Sequence, residues 1–205
     1  LALVCEDGSM FGEEYTLVSV SDYVLSKTPG NTVSNLSSTR ALADITKKYN
    51  CEYHASAVGE VNVVEKMKLC NAVIGGEGNG GVIYPELHYG RDALVGIALF
   101  LSNLAEKNIS SLNLRNSYPN YFISKNKLDL DPNTDIDYIF SHLKNQYSKN
   151  DINLVDGLKI DFDSGWVHLR RSNTEPIIRI YSESSSKEKA DELAMDFVNQ
   201  IKKII

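Results

Sequence analysis

Between residues 32 and 75 the chain repeats one rhythm, a short apolar run, a polar break and an amphipathic stretch, and this constrains its fold more than any other feature. Residues 32–36, 51–57 and 72–75 have the length of strands. Between them Ala41, Leu42, Ile45 and Tyr49, and then Val63, Val64, Met67 and Cys70, recur at helical spacing, the first set after the N-cap cluster Ser37-Ser38-Thr39. Strands that alternate with helices are joined by crossovers rather than hairpins. The expected unit is therefore a layered α/β domain with a mixed or parallel sheet and helices on both faces.

Residues 92–108 form the most apolar stretch, in which Ala93, Leu94, Val95, Ile97, Ala98, Leu99, Phe100 and Leu101 nearly encircle a helix. This predicts a helix covered on most sides, with Asp92 as its N-cap. After a polar stretch at 113–120 the rhythm changes. Residues 121–130, 153–162, 165–170 and 177–182 read as strands, and 133–147 as a helix with Ile136, Ile139, Phe140, Leu143 and Tyr147 on one face. A last helix carries the capping-box pair Ser185 and Glu188 and a stripe through Ala190, Leu193, Ala194, Phe197, Val198, Ile201 and Ile205. This second part predicts a smaller α+β domain whose antiparallel sheet is covered by helices. At the start, residues 1–5 read as a buried strand and 13–27 as a helix stopped by Thr28-Pro29-Gly30-Asn31. The chain opens without methionine, inside an apolar run, and is expected to be the C-terminal piece of a longer protein. The expected divisions are 1–30, 31–112 and 113–205.

At 205 residues there is room for two cores. A net charge of −6 opposes general nucleic-acid binding, which needs a basic surface. Three cysteines without metal or disulfide spacing point to reduced, packed residues and a cytoplasmic protein, and no apolar run reaches the length of a membrane span.

Two loops carry the chemistry. Arg170-Arg171-Ser172-Asn173-Thr174-Glu175-Pro176 lies between two strand-like segments, with Arg179 beyond it. Forked guanidinium donors, hydroxyls and turn N–H groups make an anion trap there, and Pro176 stiffens it. Ser, Asn and Thr clusters are also ordinary turn chemistry, so residue types alone leave a polar hairpin turn open. The second loop, Gly75-Gly76-Glu77-Gly78-Asn79-Gly80-Gly81, sets five glycines around one carboxylate and one amide. It lacks the Lys-Ser/Thr ending of a P-loop and the spacing of a dinucleotide fingerprint. Glu77 and Asn79 offer hydrogen bonds suited to sugar hydroxyls; a flexible connection is the alternative.

Together the loops resemble those of the α-D-phosphohexomutase family, the phosphoglucomutases, phosphomannomutases and phosphoglucosamine mutases. Gly76-Glu77-Gly78-Asn79-Gly80 matches the family's sugar-binding G-E-x-S/N-G loop, and Arg170, Ser172, Asn173, Thr174, Glu175, Pro176 and Arg179 match its phosphate-binding R-x-S-N/G-T-E-P loop and following arginine. Val58-Gly59-Glu60-Val61 is similar to a further V-G-D/E segment. The resemblance implies that residues 1–30 end the second of four domains, that 31–112 form the third, and that the rest form the fourth. It implies a hexose 1-phosphate/6-phosphate mutase in which Glu77, Gly78 and Asn79 bind the sugar and Arg170, Ser172, Asn173, Thr174 and Arg179 bind the non-transferring phosphate. The phosphoserine donor and the aspartate loop for Mg2+ do not occur in these residues and would belong to N-terminal domains. A hexose 1,6-bisphosphate is the implied intermediate. The expected partners are hexose phosphates and those N-terminal domains, with no nucleic acid and no membrane. Alone, the chain is expected to be inactive. Two departures leave the general acid or base unassigned: Gly81 stands where many members have histidine, and Ala57 lies near a position that is basic in others. A phosphoglucosamine mutase, or a non-catalytic sugar-phosphate-binding module, remains an alternative.

Overall fold

The computed structural model describes residues 1–172 and 174–205, which divide into two compact units, Leu1–Asn120 and Tyr121–Ile205. The first unit contains α1 (Glu13–Lys27), β1 (Thr32–Asn35), α2 (Ala41–Lys48), β2 (Tyr53–Ser56), α3 (Glu60–Leu69), β3 (Ile74–Glu77), β4 (Gly81–Ile83), α4 (Ala93–Lys107) and α5 (Ser111–Asn116). Its sheet runs β2-β1-β3-β4, with β1 parallel to both β2 and β3, and β4 antiparallel to β3. This is the mixed sheet expected of the β/α rhythm. Helices cover both faces: a Cβ added at Gly75 would meet Met67 on α3, and one added at Gly76 would approach Leu17 on α1. On β1, Val33 joins the α3 side of the core, while Thr32 Oγ1 shares a 2.6 Å hydrogen bond with Thr46 Oγ1 on α2.

The helix α1 packs inside this unit. Its buried Asp22 accepts hydrogen bonds from Tyr49 Oη (2.9 Å), Tyr118 Oη (3.1 Å) and Lys107 Nζ (2.5 Å), tying α1 to the end of α2, to α4 and to the segment after α5. Residues 1–5 form no strand; Val4 makes only an isolated bridge to Met10. The prediction for α4 is also corrected. Asp92 does cap it, accepting from Leu94 N and Val95 N. Only Gly96, Phe100 and Asn103 are buried, however, while Leu94 is 77% and Leu101 56% exposed.

The second unit contains β5 (Phe122–Asp129), α6 (Ile136–Gln146), β6 (Asp151–Asn153), β7 (Leu158–Phe162), β8 (Gly165–Arg171), β9 (Ile177–Ser184) and α7 (Lys187–Ile204). The sheet is antiparallel throughout, ordered β5-β9-β8-β7-β6. Alternation puts Val167, Leu169, Ile178 and Ile180 on the face covered by α6 and α7, against Leu143, Phe197 and Ile201. Two local readings change. The strand predicted over 153–162 is broken at 154–157, where Gly157 has φ +82° and a Cβ would fall 2.2 Å from the Leu169 carbonyl. The cap of α7 is Ser186, accepting from Lys189 N, rather than Ser185.

Candidate functional site

In the first unit the carboxyl ends of the parallel strands meet at one edge, the usual ligand-binding side of such sheets. Glu77 ends β3 there. It is 6% exposed, and its Oε1 accepts from Asn35 Nδ2 at the end of β1 (2.9 Å) and from Gly59 N at the N-terminus of α3 (3.2 Å). A helix N-terminus and an amide donor stabilise a carboxylate that burial would otherwise disfavour. The second oxygen, Oε2, faces Arg91 Nη1 at 3.7 Å. Arg91 is anchored in turn by Glu60 on α3, through its backbone N–H (3.0 Å) and its Nε (2.8 Å). These two contacts, the backbone one first, hold the Glu60 carboxyl below the usual range.

Gly78 and Asn79 follow Glu77 in the loop. Gly78 N donates to Ser38 Oγ (2.9 Å), and the Glu14 carboxylate of α1 lies 2.1 Å from where a Gly78 Cβ would stand. Only glycine permits that approach. Glu14 also accepts from Thr39 N at 2.8 Å, so α1 braces two loops of the same edge. Asn79 is exposed and folds its Oδ1 back to accept from Gly81 N (3.1 Å). A cleft of about 340 Å³ opens beside it, lined by Asn79, Gly80, Gly81, Val82, Arg91 and Asp92 among others. A Cβ at Gly81 would meet Arg91 Cδ at 2.8 Å, so the arginine stem fills the space over that glycine. Asn35, Glu14, Ser38 and the Glu60–Arg91 pair were not singled out from sequence for this edge. Each lies on another element, and no local spacing reveals them; Val58-Gly59-Glu60-Val61 was the one usable signal.

In the second unit Arg170 near the end of β8 lies directly opposite Arg179 on β9, and residues 172–176 connect the two strands. Ser172 N donates to Ile177 O (3.1 Å), and Thr174 N to Ser172 Oγ (3.4 Å). Ser172, Thr174 and the two arginines thus come together at one end of the sheet, while the phosphate-binding role expected of Asn173 falls outside the described residues. Arg170 Nε sits 2.8 Å from Asp156 Oδ2, a close ion pair whose alignment is not that of a linear hydrogen bond. Arg171 points to Asp137 instead, at 3.3 Å. Below Arg170, His168 is 1% exposed and its Nε2 donates to Asp156 O (2.6 Å). Burial pushes this imidazole down to about 4, helped by nearby Lys159 and Arg170 and opposed by the hydrogen bond to Asp156.

A larger cleft, about 520 Å³, lies at the far end of β8 and is lined by Lys149, Asp151, Asp161 and Asp163 among others. Among the described residues no three His, Cys, Asp or Glu side chains converge to hold a metal ion, and no helix is long and apolar enough to cross a membrane.

A mixed α/β unit with a carboxylate loop at its strand ends, followed by an antiparallel α+β unit with an arginine loop at one end, defines a two-unit α/β and α+β protein. Residues 12–121 match the α/β/α domain III of phosphoglucomutase/phosphomannomutase, and residues 139–200 match the C-terminal domain of the same family. The chain belongs to the phosphoglucomutase/phosphomannomutase family. It is 36% identical to a phosphoglucosamine/phosphogalactosamine mutase of Sulfurisphaera tokodaii, over 84% of this chain and 38% of that protein. To a phosphoglucomutase/phosphomannomutase of Thermococcus kodakarensis it is 35% identical, over 91% of this chain and 41% of the relative. The crystal structure of a phosphoglucomutase/phosphomannomutase family protein from Burkholderia thailandensis superposes with a TM-score of 0.80 at 23% identity, covering 99% of this chain and 44% of that one. That likeness shows the fold. The chain spans less than half the length of these relatives.

Proposed function

We propose that this chain is the C-terminal portion of a phosphohexomutase that interconverts hexose 1-phosphate and hexose 6-phosphate. Its part is to hold the sugar through Glu77, Gly78 and Asn79 and the non-reacting phosphate through Arg170, Ser172, Asn173, Thr174 and Arg179. The observation that carries this is the opposed pair Arg170 and Arg179 flanking a hydroxyl-bearing loop. Guanidinium forks and hydroxyl donors match phosphate oxygens, whichever end of the hexose carries them. A site that grips either phosphate lets the sugar turn over between half-reactions. The phosphoryl donor and Mg2+ are assigned to N-terminal domains; the ion would offset charge on the transferring group. An amino sugar as the hexose is a second reading, favoured by the 36% identity to a phosphoglucosamine/phosphogalactosamine mutase.

In the whole protein, Arg170→Ala should lower kcat/KM by about 2 to 4 kcal/mol of transition-state stabilisation, the loss of charge-assisted bonds to phosphate. The 205-residue chain alone should show no turnover with Mg2+. Near-normal kcat/KM in the variant removes the loop from the mechanism. Turnover by the chain alone overturns the division of labour.

A further inference from the structure

Residues directly opposite each other on antiparallel strands share a sheet face, with Cβ atoms about 4.5–5.5 Å apart. In the second unit this rule aligns three cations. Arg170 on β8 opposes Arg179 on β9, and Arg179 opposes Lys127 on β5. The outer two have acidic neighbours, Asp156 at 2.8 Å from Arg170 and Asp129 at 3.7 Å from Lys127. Arg179, the central and half-buried member, takes part in no ion pair among the described residues. The next register row on this face adds Lys159, His168, Tyr181 and Lys125, which bring further positive charge and no carboxylate. Like charges set opposite each other weaken a sheet by up to about 1 kcal/mol per pair. A dianion between them turns that repulsion into attraction.

We infer that Lys127 is a third cation of the phosphate site, which extends from the loop across three strands to β5. The inference rests on the reading of the Arg170–Arg179 loop as a phosphate clamp. Its ligand class is a phosphoryl dianion carried on a hexose. The arginines supply forked donors with fixed geometry, whereas Lys127, 62% exposed on a flexible stem, supplies a point charge that can follow the phosphate. Lys127 is thus a binding residue. It lies far from the loop in sequence, and only strand register places it there.

The test is a titration of the 205-residue chain with glucose 6-phosphate, read by NMR at the arginine and lysine side chains, with glucose as the uncharged control. Glucose 6-phosphate should shift Arg170, Arg179 and Lys127 together, and glucose should not. Lys127→Ala should weaken binding about three- to fivefold, as for one partly exposed charge pair, Lys127→Glu should weaken it further, and Lys127→Arg should retain most of it. Because Lys127 is exposed and opposes Arg179, its removal relieves repulsion and the melting temperature should not fall, so lost affinity is not lost fold. If Lys127→Ala binds like the unaltered chain while Arg179→Ala does not, Lys127 is no part of the site and the clamp stands. If glucose 6-phosphate leaves Arg170 and Arg179 unshifted in the unaltered chain, the clamp itself fails, and this inference with it.

Discussion

Acidification should destabilise the second unit in a window set by one histidine. His168 is buried beneath the turn that carries Asp156, and its ordinary value of 6.5 is pushed down to about 4, chiefly by desolvation. Between those values the unfolded chain binds a proton that the folded unit refuses. Unfolding free energy therefore keeps its full value above about pH 6.5, declines as the pH falls from there, and levels off below about 4 as far as this group is concerned. At 1.36 kcal/mol for each tenfold change in proton affinity the ceiling is about 3 kcal/mol, and about 2 kcal/mol of it is gone by pH 5. Trp166 is the only tryptophan in the chain, is fully buried two residues away, and donates from Nε1 to Glu183 Oε1 at 2.7 Å. Its emission reports urea unfolding of this unit at a series of pH values. Other carboxylates titrate in the same range, so the decisive quantity is the difference between the parent chain and His168→Gln, whose amide can still donate to Asp156 O. The variant should be less stable at pH 7 but flatter with pH. Parallel slopes between pH 7 and 5 would refute a buried neutral imidazole. Because Asp156 also pairs with Arg170, the same protonation should disturb that ion pair before the unit unfolds.

Asp22→Ala should destabilise the first unit by about 3 kcal/mol, since it leaves the buried Tyr118 hydroxyl and the Lys107 ammonium without their acceptor; a thermal melt followed by circular dichroism should show a midpoint lower by about 10 °C. Burial by itself would raise the Asp22 carboxyl, but Lys107, Tyr49 and Lys48 outweigh it and hold it low, so this contribution is present above about pH 4 and fades only in stronger acid. On α4, Leu94→Gln should change stability by no more than about 0.5 kcal/mol, because the side chain is 77% exposed. A loss of 2 kcal/mol or more in urea unfolding would mean that Leu94 is covered after all.

Where hydrophobic period and element length agree, the fold was legible from sequence. The β/α alternation over residues 32–75 gave the parallel core strands, and the stripe on α7 gave the cover of the second sheet. Prediction failed where a local signal had no tertiary content. Residues 1–5 are apolar enough for a strand, yet pairing needs a partner, and among the described residues Val4 bridges only to Met10. The apolar girth of α4 predicted burial on most sides, but periodicity cannot say which neighbours exist, and here neighbours cover only the Gly96, Phe100 and Asn103 side. The two loops divide along the same line. Their motifs are contiguous, so Glu77, Arg170 and Arg179 could be found by residue type and spacing. What surrounds each loop is not contiguous. The Glu77 carboxylate depends on Asn35 and Gly59 from two other strand ends, the close approach at Gly78 depends on Glu14 from α1, and the cation facing Arg179 comes from β5. A motif therefore locates a candidate group, whereas its hydrogen-bond and ion-pair neighbours come from residues that only the fold brings together.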